Sequence, residues 1–168
     1  DSLFYDVSAW TLPLAYGVES YELRQNPSAY LGTQLNPVEL NGGSVIGGRA
    51  QSAYLMKWNR YYAPKALYTI LNSGILPRLT TLPFSAIIDG KEIQFDRGTI
   101  VIPVHQRDAD ANISPDDIYK MVNHLAEIDH VSIYATNSAA TPMGPDLGGA
   151  FQGVLQKPKV AIFSGEGT

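Results

Sequence analysis

The sequence predicts an α/β domain: a mainly parallel sheet flanked by helices, with an added β-hairpin and an irregular N-terminal segment. Three observations carry this. Two strand-helix-strand patterns succeed one another, the run "GTIVIPV" is dense in β-branched residues, as a strand buried on both faces should be, and Asp89-Gly90 stands between two apolar runs. Alternating strands and helices are the pattern of a sheet covered by helices.

Residues 1 to 41 read as irregular. Pro13 and Gly17 punctuate "DVSAWTLPLAYGV", and Pro27, Pro37 and Gly42-Gly43 break the stretch "RQNPSAYLGTQLNPVELNGG". "VESYEL" reads as a short strand, and the apolar residues of the connecting segment imply that it packs against something. From Ser44 the pattern sharpens. "SVIGG" and "AYLMKW" read as strands. Asn59 is then a helix cap, Pro64 suits a first helical turn, and Ala66, Leu67, Ile70 and Leu71 form one apolar face. Gly74 closes that helix in the left-handed conformation. "ILPRLTTL" comes next as a strand. "FSAIIDGKEIQF" is a hairpin turning at Asp89-Gly90, the strongest short-range signal of that motif.

The second helix, "SPDDIYKMVNHLAEI", is the clearest element. Ser114 caps it, Pro115 takes its first position, and Asp116 and Asp117 lie in the first turn, where the helix dipole favours negative charge. Ile118, Met121, Val122 and Leu125 share a face. "HVSIYAT" is the next strand, residues 137 to 153 a long Gly- and Pro-rich loop, and "KVAIF" the last strand.

The 168 residues carry a formal charge of −4 with scattered Lys and Arg, so no basic stripe offers itself to nucleic acid. No apolar run reaches membrane-spanning length. The absence of cysteine excludes a disulfide scaffold, a cysteine nucleophile and thiolate metal ligation.

Chemistry-bearing residues are sparse. His105, His124 and His130 show no i, i+4 pair and no carboxylate at zinc-site spacing. His105 ends a strand, where sites occur in open α/β sheets. In "DADANISPDD", Asp108, Asp110, Asn112 and Ser114 alternate as calcium ligands do in an EF-hand loop. Ile113 and Tyr119 occupy the positions where that loop needs Gly and Glu. Ser164, in "FSGEG", comes after a strand and precedes a G-x-G. Glu22, in "YELR", is a candidate general base by likeness to the E-L-R setting of carboxypeptidase A-like enzymes, in which a Glu takes a proton from zinc-bound water.

The segments "FYDVSAWTLPLAYGVESYEL", "YLMKWNRYYAPKALYTILNSGI", "FDRGTIVIPV" and "DLGGAFQGVLQKPKVAIFSGEG" resemble, in order, the C-terminal non-peptidase region of bacterial secreted zinc carboxypeptidases (carboxypeptidase A-like). That region in turn resembles the flavodoxin-like fold of class I glutamine amidotransferases. The resemblance implies a junction segment, 1 to 43, leaving an upstream peptidase domain. It also implies an α/β accessory domain, 44 to 168, cut short at its C-terminus. The implied parent is secreted or periplasmic and removes C-terminal residues from peptides with zinc held in its peptidase domain. No zinc ligand of that family matches a position here, and the amidotransferase Cys is absent, so likeness of fold brings no activity with it.

Two functions are expected on these grounds. The first is a non-catalytic accessory domain that supports the upstream peptidase domain, or binds a peptide or glycan at the C-terminal edge of its sheet through His105, Arg107, Asp108, Asn137 and Asp146. The second is a small-ligand-binding or hydrolytic domain in which Ser164, Glu166 and His105 converge. A purely structural role would instead pack the aromatic N-terminal segment, around Trp10, on the peptidase domain.

Overall fold

A computed structural model describes residues 13, 18–22, 24–34, 42–106, 112–161 and 165. Among the described residues, eight strands form a six-stranded sheet and a separate two-stranded hairpin: β1 (Val45–Ile46), β2 (Ala53–Met56), β3 (Arg78–Thr80), β4 (Phe84–Ile88), β5 (Lys91–Phe95), β6 (Ile100–Pro103), β7 (Ile133–Thr136) and β8 (Gln152–Val154). Two α-helices, α1 (Ala63–Asn72) and α2 (Pro115–Ile128), connect strands of the large sheet.

The large sheet is mixed, in the order β1-β7-β2-β6-β3-β8. Only β1 and β7 run parallel as neighbours; β7-β2, β2-β6, β6-β3 and β3-β8 are antiparallel. The expected mainly parallel, flavodoxin-like sheet is therefore corrected. The crossovers β2-α1-β3 and β6-α2-β7 each join strands of like direction, but each skips one place. β6 lies between β2 and β3, and β2 lies between β6 and β7. Two interleaved split crossovers of this kind are the connectivity of a ferredoxin-like unit. Strand-helix-strand patterning fixes the direction of the two joined strands and says nothing of what slides between them.

The helices form where the residues dictate. In α2, the Ser114 side chain accepts from the Asp117 N–H at 3.2 Å and the Asp117 carboxylate accepts from the Ser114 N–H at 3.0 Å, a complete capping box. The Ser114 hydroxyl, which also donates to that carboxylate, and then the Ser114 N–H hold the Asp117 carboxyl below its ordinary value. In α1, Pro64 does lie in the first turn and Gly74 stands just past the helix at φ +85°. The cap, however, is Tyr62 and not Asn59. A turn closed by the Ala63 N–H on the Arg60 carbonyl moves the start along the chain, and the Tyr62 ring packs on the core margin instead of capping.

Both faces of the sheet are covered. On one, Tyr54, Met56, Ile100, Ile102 and Ile133 join Ile70 of α1 and Ile118, Val122 and Leu125 of α2 in one buried cluster. On the other, Leu55 and Val101 join Phe84, Ala86, Ile88 and Phe95 of the hairpin. Each such aliphatic side chain contributes about 1.5–3 kcal/mol by leaving water. The hairpin turns as expected, with Asp89 at φ 50° and Gly90 at φ 75°, the positive pair of a type I′ turn. Phe84 and Phe95 stack at 5.3 Å, and Phe95 meets Tyr134 edge-on at 5.4 Å.

Two further expectations change. The long loop 137–153 contains the start of β8, an edge strand paired with β3, while Lys159–Ala161 is not strand; Ile162 and Phe163 lie outside the described residues. Residues 18–22 form no strand, and Val18, Tyr21, Tyr30 and Leu31 are exposed rather than packed. Trp10 lies outside the described residues.

Candidate functional site

Strand direction decides which residues meet. Because β2 and β3 run against β6, they begin where β6 ends. The register pairs Ala53 with Pro103, Leu55 with Val101, and Arg78 with both Val101 and Val154. Alternation along each strand then puts Ala53, Arg78, Val101 and Pro103 on the face opposite the helices. Gln152, paired with Thr80 two places along β3 from Arg78, shares that face. A cavity of about 180 Å³ opens there, with His105 and Ser52 at the end where β6 finishes and Gln152 further in, and with Ala139, Leu147 and Gly148 as the overlying loop.

The loop is held down by specific bonds. The Asp146 carboxylate accepts from the Thr141 N–H at 2.8 Å, and the Thr141 hydroxyl donates to the Gly144 carbonyl at 3.0 Å. The Ser85 N–H donates to the Met143 carbonyl at 2.9 Å, which ties the loop to the hairpin. Gly144, at φ +84°, passes so close to Phe84 and the Pro83 carbonyl that a Cβ there would lie 2.5 Å from that oxygen. A left-handed backbone and a close approach both require glycine at this point.

Gln152 is the unusual member of the cavity wall. It is 6% exposed, and its Oε1 accepts from the Gly148 N–H at 2.9 Å. That bond fixes which way the amide faces, since only the oxygen can accept. The buried Nε2 is then left with no hydrogen-bond partner among the described residues. An unpaired buried donor costs about 1–3 kcal/mol. Among the described lining residues the charged or ionisable groups are Arg78 and His105.

The sequence-predicted residues divide. His105 is exposed and lines the cavity. Asn137 comes directly after β7, but its Oδ1 accepts from the Gln51 N–H at 2.9 Å and so clamps the start of β2 to the end of β7. Asp146 organises the loop through Thr141, and neither it nor Asn137 lines the cavity. Arg107, Asp108 and Asp110 lie outside the described residues, as do Ser164 and Glu166, so of the hydrolytic set only His105 is described. Asn112 is exposed, and the Ser114 hydroxyl and Asp117 carboxylate of the calcium-like stretch bond each other at 2.6 Å in the helix cap. Glu22 is exposed on irregular chain. Among the described residues no group of three or more His, Asp or Glu side chains is placed to hold a metal ion, so the zinc of the resembled family finds no ligand set in them.

Ser52, Arg78 and Gln152 were not legible as site residues. Ser52 stands just before β2 and Arg78 begins β3, and a parallel sheet would carry those ends to the opposite edge. Gln152 sits in a stretch whose Gly-rich composition reads as loop. The pattern that betrays it is local: Gly148 and Gln152, four apart, close the turn before β8.

Fold and site together define an α/β domain with a donor-lined cavity on the hairpin side of a mixed sheet. Comparison with family models, with curated proteins and with solved structures gives no match. No helix among the described residues is long and apolar enough to cross a membrane.

Proposed function

We propose that this domain binds a small ligand, without transforming it, in the cavity bounded by Ser52, Arg78, His105 and Gln152. The observation that carries the reading is the cavity itself: a concave, half-apolar space with a few convergent polar groups is the usual form of a ligand site. At about 180 Å³ it falls below the roughly 300–1,000 Å³ of sites for drug-sized molecules, so it suits a ligand of few atoms or one end of a longer one. The setting we propose is an accessory domain of a secreted or periplasmic zinc carboxypeptidase-like protein. Support for that setting is the ordered set of segments resembling such proteins, and a peptide end is a ligand of fitting size.

Titration of the ¹⁵N-labelled protein with a collection of small metabolites and short peptides tests the reading. Ligand-dependent shifts should centre on the backbone amides of Ala53, Val101, Gly148 and Gln152. Shifts centred on another surface, or none across the collection, would overturn it.

A further inference from the structure

We infer that the open edge of β8 joins two copies of this chain about a two-fold axis at Gly153, with Phe151 of each copy entering an apolar cavity of the other. The surface is distinct from the ligand cavity, which opens on the hairpin side. The backbone defines it. The Thr81 N–H donates to the Phe151 carbonyl at 3.1 Å and the Leu155 N–H to the Pro77 carbonyl at 2.9 Å, so residues 151, 153 and 155 turn their backbone groups toward β3. The N–H and C=O of Val154 and the C=O of Gln152 then point away from the sheet, and those of Val154 have no partner among the described residues. Edge strands are usually blunted by charge, by proline or by a covering element. The stretch "FQGVL", residues 151 to 155, carries neither charge nor proline, and Phe151 and Val154 are 52% and 44% exposed. The other edge strand, β1, is two residues long and runs into Gly47 and Gly48, both at positive φ, so it offers no comparable ladder.

Register names the occupant. When two β8 strands pair antiparallel about Gly153, the Val154 N–H of each donates to the Gln152 carbonyl of the other, and Phe151 falls opposite Leu155. Alternation puts Gly153 and Leu155 on the helix side and, carried one place before the strand, Phe151 with them. On that side Trp58, Leu67, Leu79, Gly98, Ile100 and Leu155 line a cavity of about 370 Å³, between α1 and the β3-β8 edge. An exposed aromatic side chain on the edge thus meets an apolar cavity beside the same edge of the other copy, as a self-complementary two-fold contact requires. Charge agrees. Asp146 precedes β8, and Lys157 and Lys159 come after it, so antiparallel pairing sets the acidic end of one copy against the basic end of the other. An unrelated extended peptide would meet the same backbone groups, but nothing on this chain fixes its register.

The test uses the full chain. Sedimentation velocity over a dilution series should show a monomer–dimer equilibrium and nothing larger, because each copy has one such edge. Val154→Pro removes an outward N–H, which an edge strand tolerates, and Phe151→Ser removes the aromatic anchor. Each should weaken dimerisation by about tenfold or more while leaving the urea unfolding of the dilute monomer unchanged. The chain has no cysteine, and a Cβ at Gly153 would meet nothing within 4 Å, so Gly153→Cys places a single thiol on the axis. Facing residues of a pair that is not hydrogen-bonded lie about 4.5 Å apart at Cα, within reach of a disulfide. Gly153→Cys should therefore cross-link to a dimer under mild oxidation well before Glu92→Cys on the exposed hairpin does. An unmodified chain that stays monomeric up to about 1 mM, or that associates beyond two, would overturn the inference. So would a dimer that survives both Val154→Pro and Phe151→Ser, or equal cross-linking at positions 153 and 92. Sedimentation of the unmodified chain does not depend on any variant folding.

Discussion

Ile100 and Ile102 of β6 lie in the closed cluster under the two helices, while Val101 between them lies on the face that carries the hairpin and the cavity. The helix side is continuous: α1 and α2 bring Ile70, Ile118, Val122 and Leu125 to full burial. The other side is covered in two ways. Aromatic packing of Phe84, Phe95 and Tyr134 accounts for part of it, and a bonded loop bridging open space accounts for the rest. Gln152, whose Nε2 has no partner among the described residues, belongs to that second part. The contrast teaches that one strand can serve both stability and recognition, because alternate residues answer to different neighbours.

The contrast is broken most severely from the helix side. Leu125→Ala should lower the unfolding free energy by about 2–5 kcal/mol, the range for a buried leucine leaving a cavity, measured by urea denaturation; a loss under about 1 kcal/mol would mean that side is loosely packed. Gly144→Ala comes next, at about 1–3 kcal/mol for forcing a side chain into a left-handed backbone against the Pro83 carbonyl. It should also perturb the amide resonances of Leu147 and Gly148, whereas Leu125→Ala should leave the loop bonds intact in the folded fraction. Ser114→Ala removes the cap of α2 and should cost about 1 kcal/mol, with rapid amide exchange confined to the first turn of that helix.

A smaller effect comes from Tyr54. Its hydroxyl accepts from the Ala50 N–H at 3.1 Å, and burial, the leading cause, raises the phenol above its ordinary value of 10.0. A raised folded value means that the stabilisation is complete below pH 10 and is lost as pH rises through and beyond it. Stability against urea should therefore decline above that pH, and Tyr54→Phe should flatten the decline. The smallest change is expected on the open face. Gln152→Met removes an unpartnered buried donor but also the acceptor of the Gly148 N–H, two effects of opposite sign, so stability against urea should change by less than about 1 kcal/mol. A loss well above that would mean that the amide nitrogen is also paired in solution.

What was legible in the sequence was local. Ser114, Pro115 and Asp117 specify the start of α2 within four residues, and Asp89-Gly90 specifies the hairpin within two, because the bonds concerned join near neighbours. The direction and order of the strands were not legible. The residues of β2 and β6 that pair are far apart in the chain, and a run of buried β-branched residues reads alike whether its neighbours are parallel or antiparallel. The candidate site suffered from the same gap. His105 was found because it stands just beyond a strong strand. Arg78, Ser52 and Gln152 meet it only through the antiparallel register, and Asn137 and Asp146 turned out to hold the backbone in place.

The interleaving of the two crossovers also bears on how the chain folds. β2 and β3, joined by α1, never touch, because β6 fills the place between them. The first crossover thus contains no strand pair of its own, and neither does the second. Only the hairpin can close early, on the microsecond scale typical of such turns. The rest must wait for distant pairing, such as residue 53 with residue 103, which lowers folding rates through loop-closure entropy. A nascent chain ending before β6 would hold no part of the large sheet, and assembly of that sheet should be a single cooperative event.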